Sequence, residues 1–533
     1  MNAQKGQPTA PRLALAMGFD EAGSDAVLRG LIGALPLGHV VRYCSNPAAA
    51  PPVEGVSDGA SLRSLTFGIG PFFGEYPAEE VLARVVNPDS RFAEAMYMLE
   101  RYRFSHQAVD IVESPAATAR HIASLFAYWE QELQDRSPTL VLFSRVPHDV
   151  ADFIAYEVCR ERAIPTLVMR RFQVQRTFDV VSDFRAGALI ESGESVESPS
   201  DELSISDLPE RLQLEWQQRR GRTAPAYMAN AAPDTTPVEK VGKLLRRLAR
   251  KVKERSSMSR APQRGRTVDP GVSTVEWTRS AGSSDAGTML TRLLTRRFDI
   301  RRRAMAAKQA AIQGPVEGAR PRSMPFVYFP LHLQPEATTS PMGGPWVDQA
   351  LAACALAQAS RERSLTVRLK ENPKQRQHYR GPRFWAEVDG RPSLEIVPDD
   401  SDTFALIDNA LAVATITGTA GWEAMFLGKG VVLFGHAFYR DGPGVFAVDS
   451  VGGVGAAIDR AIAYTERPRL EKDQALLSYL GALAAATTEG IALRTTVGGK
   501  STEEPGIVAP ENVAAICQAF KSALDRLESE AAH

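Results

Sequence analysis

The sequence predicts an α/β protein built from two Rossmann-like, doubly wound domains, with a basic, helical or irregular insertion between them. Three observations predict it. A chain of 533 residues exceeds what one hydrophobic core organises. From Pro138 to Arg170 a buried strand, a loop, a helix and a second strand follow one another, which is a β-α-β unit. The same alternation returns at Pro321 and runs on to Tyr439. The expected divisions are residues 1–190 for the first domain, 191–320 for the insertion, 321–501 for the second domain and 502–533 for a closing helix.

Taken in order, Arg12–Gly18 (RLALAMG) is a short apolar strand that leads through the loop FDEAGSD into the helix-like AVLRGLIGAL. Asp20, Glu21 and Asp25 then stand at the carboxyl edge of the first strand, where open parallel sheets bind ligands. Asp25 also suits a helix N-cap, and Asp20 and Glu21 are candidate catalytic bases. The Gly- and Phe-rich loop TFGIGPFFGEY is a candidate cleft lining, whereas the stripe of Phe92, Met96, Met98 and Leu99 reads as core. After the strand TLVLF, the loop RVPHDV places His148 and Asp149 at another carboxyl end. His148 is a candidate functional residue, with helix capping as the alternative.

From Glu191 the composition turns acidic and Ser-rich and then loop-like, as in linkers. Within this region Val241, Leu244, Leu245, Leu248 and Val252 share one helical face, with lysines and arginines around it. Glu239–Arg266 carries eleven Lys or Arg against two Glu, and RLLTRRFDIRRR follows at Arg292–Arg303, in a chain whose net charge is only −1. Such a helix suits an anionic membrane surface, with a solvated helix packed on its own protein as the alternative. No recognised nucleic-acid module accompanies the charge.

In the second domain PFVYFPLHLQP is a strand running into a loop, Trp346–Ala359 a helix, LTVRLKENP a strand and loop, LEIVPDD a strand, and Thr403–Asn409 a helix. Then comes the densest stretch, Ala412–Tyr439. Val413–Thr417 is a strand, Gly418-Thr419-Ala420-Gly421 a small-residue turn, Trp422–Leu427 a short helix, and Gly430–Gly435 the next strand. A turn of this kind aims backbone N–H groups and the positive end of a helix dipole at one point, which suits a phosphate. An ordinary strand-to-helix turn needing glycine for steric reasons is the alternative. Glu423, one turn into the helix, is placed to reach a ribose hydroxyl.

Three segments carry a family resemblance. GTAGWEAMFLGKGVVLFGHAFYRDGPGVF (Gly418–Phe446), YFPLHLQPEATTSPMGG (Tyr328–Gly344) and RLKENPKQ (Arg368–Gln375) together resemble blocks of the bacterial capsule polysaccharide biosynthesis proteins, a family that includes β-Kdo transferases. Pro147-His148 extends the resemblance into the first half. Asn372 stands where the family usually has histidine. The resemblance implies a GT-B arrangement, an acceptor-side first domain, a nucleotide-sugar-binding second domain, and transfer of a sugar such as Kdo from CMP-Kdo to a polysaccharide or lipid-linked acceptor.

Glycosyl transfer needs a seat for the donor phosphate, a group that neutralises charge on the leaving nucleotide, and a base for the acceptor hydroxyl. Thr417, Gly418, Thr419, Ala420 and Gly421 are candidates for the first, and Lys370, Arg368 or His436 for the second. Gln334, Glu336, Thr338, Thr339 and Asn372 are candidates for holding nucleotide or sugar, with a Pro-set turn capped by threonines as the alternative for the Gln-Pro loop.

The eight histidines show neither HExxH nor HxH spacing, and Asp400-Ser401-Asp402 directly precedes a helix, so N-capping explains it better than a metal site. Metal-independent transfer without a cofactor is therefore expected. Neither GxSxG nor GxxxxGK[ST] is present. Two further classes remain open: a non-catalytic glycan- or nucleotide-binding member of an assembly complex, and a sugar-nucleotide epimerase.

The four cysteines are widely separated and form no CxxC pair, which suits a reducing cytoplasm. The N-terminal apolar run is too short for a signal peptide, and no apolar stretch is long enough to span a bilayer, so a cytoplasmic protein, free or peripheral on the inner membrane, is expected.

Overall fold

The computed structural model describes residues 12–20, 23–45, 47, 50–67, 78–100, 114–189, 203–222, 299, 302–312, 324–334, 336–375, 380–493 and 506–531. The basic helical face at Val241–Val252, the second basic run up to Arg301 apart from Asp299, most of the Gly- and Phe-rich loop, and Glu21 lie outside the described residues. All the elements below belong to one compact unit, Met1–Arg222 with Ile300–His533.

Two separate sheets form. The first contains β1 (Arg12–Met17), β2 (Leu37–Tyr43), β3 (Val56–Asp58), β4 (Leu140–Phe143), β5 (Thr166–Arg171) and β6 (Thr177–Val181). The second contains β7 (Phe326–Pro330), β8 (Thr366–Lys370), β9 (Leu394–Val397), β10 (Ala412–Thr415), β11 (Val431–Leu433) and β12 (Val445–Ala447). The central strands LVLF of β4 and AVAT of β10 are buried at every position, as parallel strands covered on both faces must be. The expected fold class, two Rossmann-like doubly wound sheets, is borne out.

The strand order of the second sheet is β12-β11-β10-β7-β8-β9, and every neighbouring pair is parallel. The chain therefore builds outward from β7 in one direction, returns, and builds outward from β10 in the other. Between those two strands the connecting loops diverge and leave a crevice at the carboxyl ends. In the first sheet β3-β2-β1-β4-β5 repeats this parallel order, so its own crevice lies between β1 and β4.

One end of the first sheet is supplied from far along the chain. A two-residue strand β13 (Thr488–Glu489) pairs antiparallel with β6 at Phe178 and Thr177. The helix Pro510–Ala531 then places Ile516, Phe520 and Leu524 in the same core cluster as Leu28, Leu31 and Val180. Residues 488–489, expected within the second domain, thus extend the first sheet, and the closing helix covers it. The two halves also meet where the Leu189 N–H donates to Asp441 at 2.7 Å and Phe172 stacks on Phe438 at 4.3 Å. Among the described residues no helix is long and apolar enough to cross a membrane.

Candidate functional site

The crevice of the second sheet is organised by a residue that sequence reasoning passed over. His332 leaves the end of β7 and sends its ring across to the turn after β10, where Nε2 accepts the Thr417 N–H at 3.1 Å and lies 3.3 Å from Thr415 Oγ1. A backbone N–H only donates, so Nε2 is unprotonated and the neutral ring carries its proton on Nδ1. Burial pushes the imidazole down to about 3, and the nearby Arg380 guanidinium adds to this.

Around that ring the chain is crowded. A side chain at Gly418 would bring its Cβ to 2.7 Å from His332 Nε2 and 2.9 Å from Thr415 Oγ1. The Gly418 N–H donates to Thr415 Oγ1 at 3.0 Å, its carbonyl accepts from the Tyr439 hydroxyl, and Thr417 Oγ1 donates to the Thr338 carbonyl. At Gly421 a Cβ would meet Tyr439 Oη at 2.6 Å and Thr415 Cγ2 at 2.9 Å. Both glycines are therefore required by packing within the protein. The helix begins at Thr419, with Gly418 as its N-cap, rather than at Trp422, so Ala420 and Gly421 form its first turn instead of a loop.

A buried layer of polar side chains supports the Gln-Pro loop. The His332 N–H donates to Gln349 Oε1 at 2.7 Å, and Arg380 Nη2 donates to the His332 carbonyl at 2.9 Å. Arg380 pairs with Glu371 at 2.8 Å, each side chain only 1% exposed. Burial pushes the Glu371 carboxyl up and the Arg380 guanidinium down, and their mutual attraction opposes both shifts. Gln375 exchanges hydrogen bonds with the Gln334 backbone, at 2.8 Å to the N–H and 3.0 Å to the carbonyl.

Several expected donor contacts are engaged elsewhere. The Gln334 side-chain amide donates to the Val347 carbonyl at 2.8 Å. Lys370 donates to the Ser401 carbonyl at 2.6 Å and Thr403 Oγ1 at 2.7 Å, and burial lowers its pKa. Asn372 Oδ1 accepts the Lys374 N–H at 3.0 Å in a local turn. Arg368 pairs with Glu395 at 3.0 Å and lies over the Phe326 ring, lining a cavity of about 510 Å³ with Met324, Asp402 and Asn409 beside the helix Thr403–Asn409. Asp402 caps that helix by accepting the Phe404 N–H at 2.9 Å, as expected of the DxD pattern.

Glu423 is the clearest correction. Instead of facing a ribose it is buried and paired with Arg219 at 3.1 Å, on the helix Glu210–Arg220, where Glu215 also binds Arg219 and accepts from Trp422 Nε1 at 2.8 Å. Burial raises its carboxyl to about 7 against the pull of Arg219. Of the remaining candidates, Glu336 and Thr338 stay at the exposed or half-buried rim of the loop, while Thr339 is buried with its hydroxyl on the Glu336 carbonyl at 2.9 Å. Thr419 is half-buried at the start of the helix. The His436 N–H donates to the Met342 carbonyl at 2.7 Å, and burial, reinforced by Arg185 and Arg440, pushes its ring down to about 4. A neutral imidazole is a poor neutraliser of leaving-group charge.

At the crevice of the first sheet the structure brings Asp20 and His148 together, through an arginine that sequence reasoning also missed. Arg145 Nη1 donates to the Gly18 carbonyl at 2.9 Å and lies 3.4 Å from Asp20 Oδ1, while its Nε donates to His148 Nδ1 at 3.1 Å. Gly18 has φ +74°, and a Cβ there would come within 2.9 Å of Arg145 Nη1. The Ser45 N–H donates to Asp20 Oδ2 at 2.7 Å. His148 does not cap the following helix; Asp149 is the N-cap, its N–H donating to Asp152 Oδ1 at 2.9 Å.

Comparison with known proteins adds the following. Residues 301–450 match the family model of the capsule polysaccharide biosynthesis protein. No curated protein matches the sequence. Among solved structures, the chain is similar to the beta Kdo 2,4 transferase of Thermosulfurimonas dismutans KpsC, at 11% identity over 64% of this chain and 79% of that one, with a TM-score of 0.25. For the beta Kdo 2,7 transferase of the same KpsC the values are 11%, 71%, 98% and 0.23. For the alpha,alpha-trehalose 6-phosphate synthase of Burkholderia multivorans they are 12%, 98%, 100% and 0.27. The fold assignment rests on the strand order and not on these distant likenesses. Residues 301–450, which hold the Gln-Pro loop, the end of β8 and the glycine turn, are where the chain is similar to the capsule polysaccharide biosynthesis proteins, and the resemblance read from those segments is borne out.

Proposed function

We propose that the protein is a glycosyltransferase of surface polysaccharide synthesis, binding a nucleotide-sugar at the crevice between β7 and β10 and its acceptor at the crevice between β1 and β4. One observation carries the reading: the segment matched by the capsule family model is the segment that builds the β7/β10 crevice. Open α/β sheets bind ligands at that point, and the helix starting at Thr419 aims its dipole there, which favours an anion by ~0.3 to 2 kcal/mol. Because Gly418 and Gly421 are accounted for by packing, the support for a phosphate seat is the helix terminus and its place in the sheet. Kdo from CMP-Kdo is the donor we infer, transferred without a metal to a polysaccharide or lipid-linked acceptor, with the basic segment holding the protein to an anionic inner-membrane surface.

The test is a thermal-shift screen of CMP, UDP, GDP and CDP, since a ligand at about 100 times its Kd adds ~2.7 kcal/mol of stability. CMP is expected to stabilise most, followed by turnover of CMP-Kdo that persists in EDTA. Loss of turnover in EDTA rejects the metal-independent step. Co-sedimentation with anionic vesicles but not neutral ones, weakening with salt, is expected of the basic segment. A second reading is favoured by one observation: Asn372, in place of the usual histidine, closes a turn on Lys374. On that reading the protein binds nucleotide or glycan without catalysis, and binding with neither turnover of CMP-Kdo nor epimerisation of a UDP-sugar would establish it.

A further inference from the structure

Three buried ionisable side chains on two helices hold one negative charge in excess. Arg219, on the helix Glu210–Arg220, lies between Glu215 of its own helix and Glu423 of the helix Thr419–Phe426, and none of the three side chains is more than 6% exposed. The two carboxylates are not equally supported. Glu215 Oε1 accepts from Arg219 Nε at 2.5 Å and from Trp422 Nε1 at 2.8 Å, whereas Glu423 accepts one bond among the described residues, from Arg219 Nη1 at 3.1 Å. A buried charge without a full counterion is costly, so the cluster gains by taking up a proton, and the less supported carboxylate receives it.

The other ionisable groups around the cluster leave that excess uncompensated. The Tyr439 and Tyr328 hydroxyls face Glu423, and burial holds both far above their ordinary range, so they stay neutral. The remaining cations on the packed elements turn elsewhere: Arg220 and Arg469 pair with Asp473, Arg211 pairs with Glu489, Lys472 donates to the Thr465 carbonyl and Lys429 to the Ala410 carbonyl.

We propose that the Glu215–Arg219–Glu423 cluster is a proton-binding latch, which with a proton on Glu423 fastens the helix Glu210–Arg220 across the helix Thr419–Phe426 and without it loosens that strap. The latch does not depend on the transferase reading. Besides the cluster, the strap is held by Leu212 and Trp216, the latter 5.9 Å from the Phe426 ring. The helix it covers starts at the β7/β10 crevice with Gly418 as its N-cap, so loosening the strap uncovers the back of an element that borders that crevice. Burial pushes the Glu423 carboxyl up to about 7, with Arg219 opposing and Glu215 adding to the shift. A carboxyl raised in the folded protein contributes stability that is complete below its ordinary value and is lost as pH rises through 7.

Hydrogen exchange of the full-length protein, read by mass spectrometry and corrected for the pH dependence of the intrinsic rate, measures the latch in place. Between about pH 6 and about pH 8.5 the opening constant of the helix Glu210–Arg220 is expected to rise about tenfold, the ratio for a carboxyl that titrates near 7 when latched and at its ordinary 4.5 when open. In Glu423→Gln, whose amide stands for the protonated carboxyl, the rise is expected to vanish. Glu94, beside Arg185, is also pushed up to about 7 by burial, so Glu94→Gln is the control and is expected to keep the rise in this helix. A parent protein whose helix Glu210–Arg220 exchanges alike at both pH values overturns the proposal. So does a rise that survives in a folded Glu423→Gln protein, that Glu94→Gln removes, or that is equal over the whole chain. If Glu423→Gln does not fold, the size and location of the rise in the parent and in Glu94→Gln decide.

Discussion

The two crevices occupy equivalent places in their sheets and are built from opposite materials. Between β7 and β10 the loops are fixed by a neutral imidazole, a fully buried ion pair and two glutamines. Between β1 and β4 they are fixed by one arginine, its side chain 10% exposed, among carboxylates 17 to 21% exposed and a histidine. The difference teaches that a shared topology sets where a ligand can sit but not the dielectric it meets. The first kind of site is closed on buried partners; the second gathers ionisable side chains at a sheet edge.

The largest expected break of this contrast is Arg380→Met. It leaves Glu371 buried without its partner, a change that typically costs about 3 to 5 kcal/mol, and Arg380→Met/Glu371→Met should recover most of the loss. Denaturant unfolding of the single and double variants measures both. Next is Gly421→Val, whose side chain runs into Tyr439 and Thr415. Overpacking of this kind costs about 1 to 3 kcal/mol, so reduced stability is expected as well as any loss of nucleotide binding.

A pH test sharpens the contrast further. Burial holds the His332 imidazole down at about 3 in the folded protein against an ordinary 6.5, so the unfolded chain binds the proton more tightly. Its contribution is complete above 6.5 and is lost as pH falls from 6.5 toward 3. Urea midpoints in His332→Gln should show a flatter acid limb than in the parent. The smallest expected effect is Arg145→Met, at about 1 kcal/mol in urea unfolding, because the Gly18 carbonyl it leaves keeps the Ser144 hydroxyl and its carboxylate partners, 17 to 21% exposed, retain some contact with solvent. A loss as large as that of Arg380→Met would erase the distinction between the crevices.

The sheets were legible because β4 and β10 are uninterrupted apolar runs and because β-α-β spacing is regular. Asp20 and His148 were legible for a related reason: the end of a parallel strand is a predictable address. What escaped was pairing at a distance. Glu423 sits one residue from Trp422, and both turn toward Glu215 and Arg219, which periodicity within the short helix does not reveal. His332 stands between two leucines at a strand end and has no spacing motif of its own; only the approach of Gly418 to its ring discloses its function as a pin. Nothing in a two-residue strand such as β13 announces its partner.

That last strand bears on how the protein is made. β6 receives its neighbour from Thr488 and Glu489, and Phe178 and Val180 are covered by the helix Pro510–Ala531. A nascent chain emerging from the ribosome therefore completes all the other strands of both sheets before the first sheet can close. Until residues 488–531 arrive, an unpaired strand edge and an apolar face remain open to solvent and to other chains, the condition in which large proteins aggregate. Removing those last residues would strike the first-made half of the molecule, not the half that lies next to them in sequence.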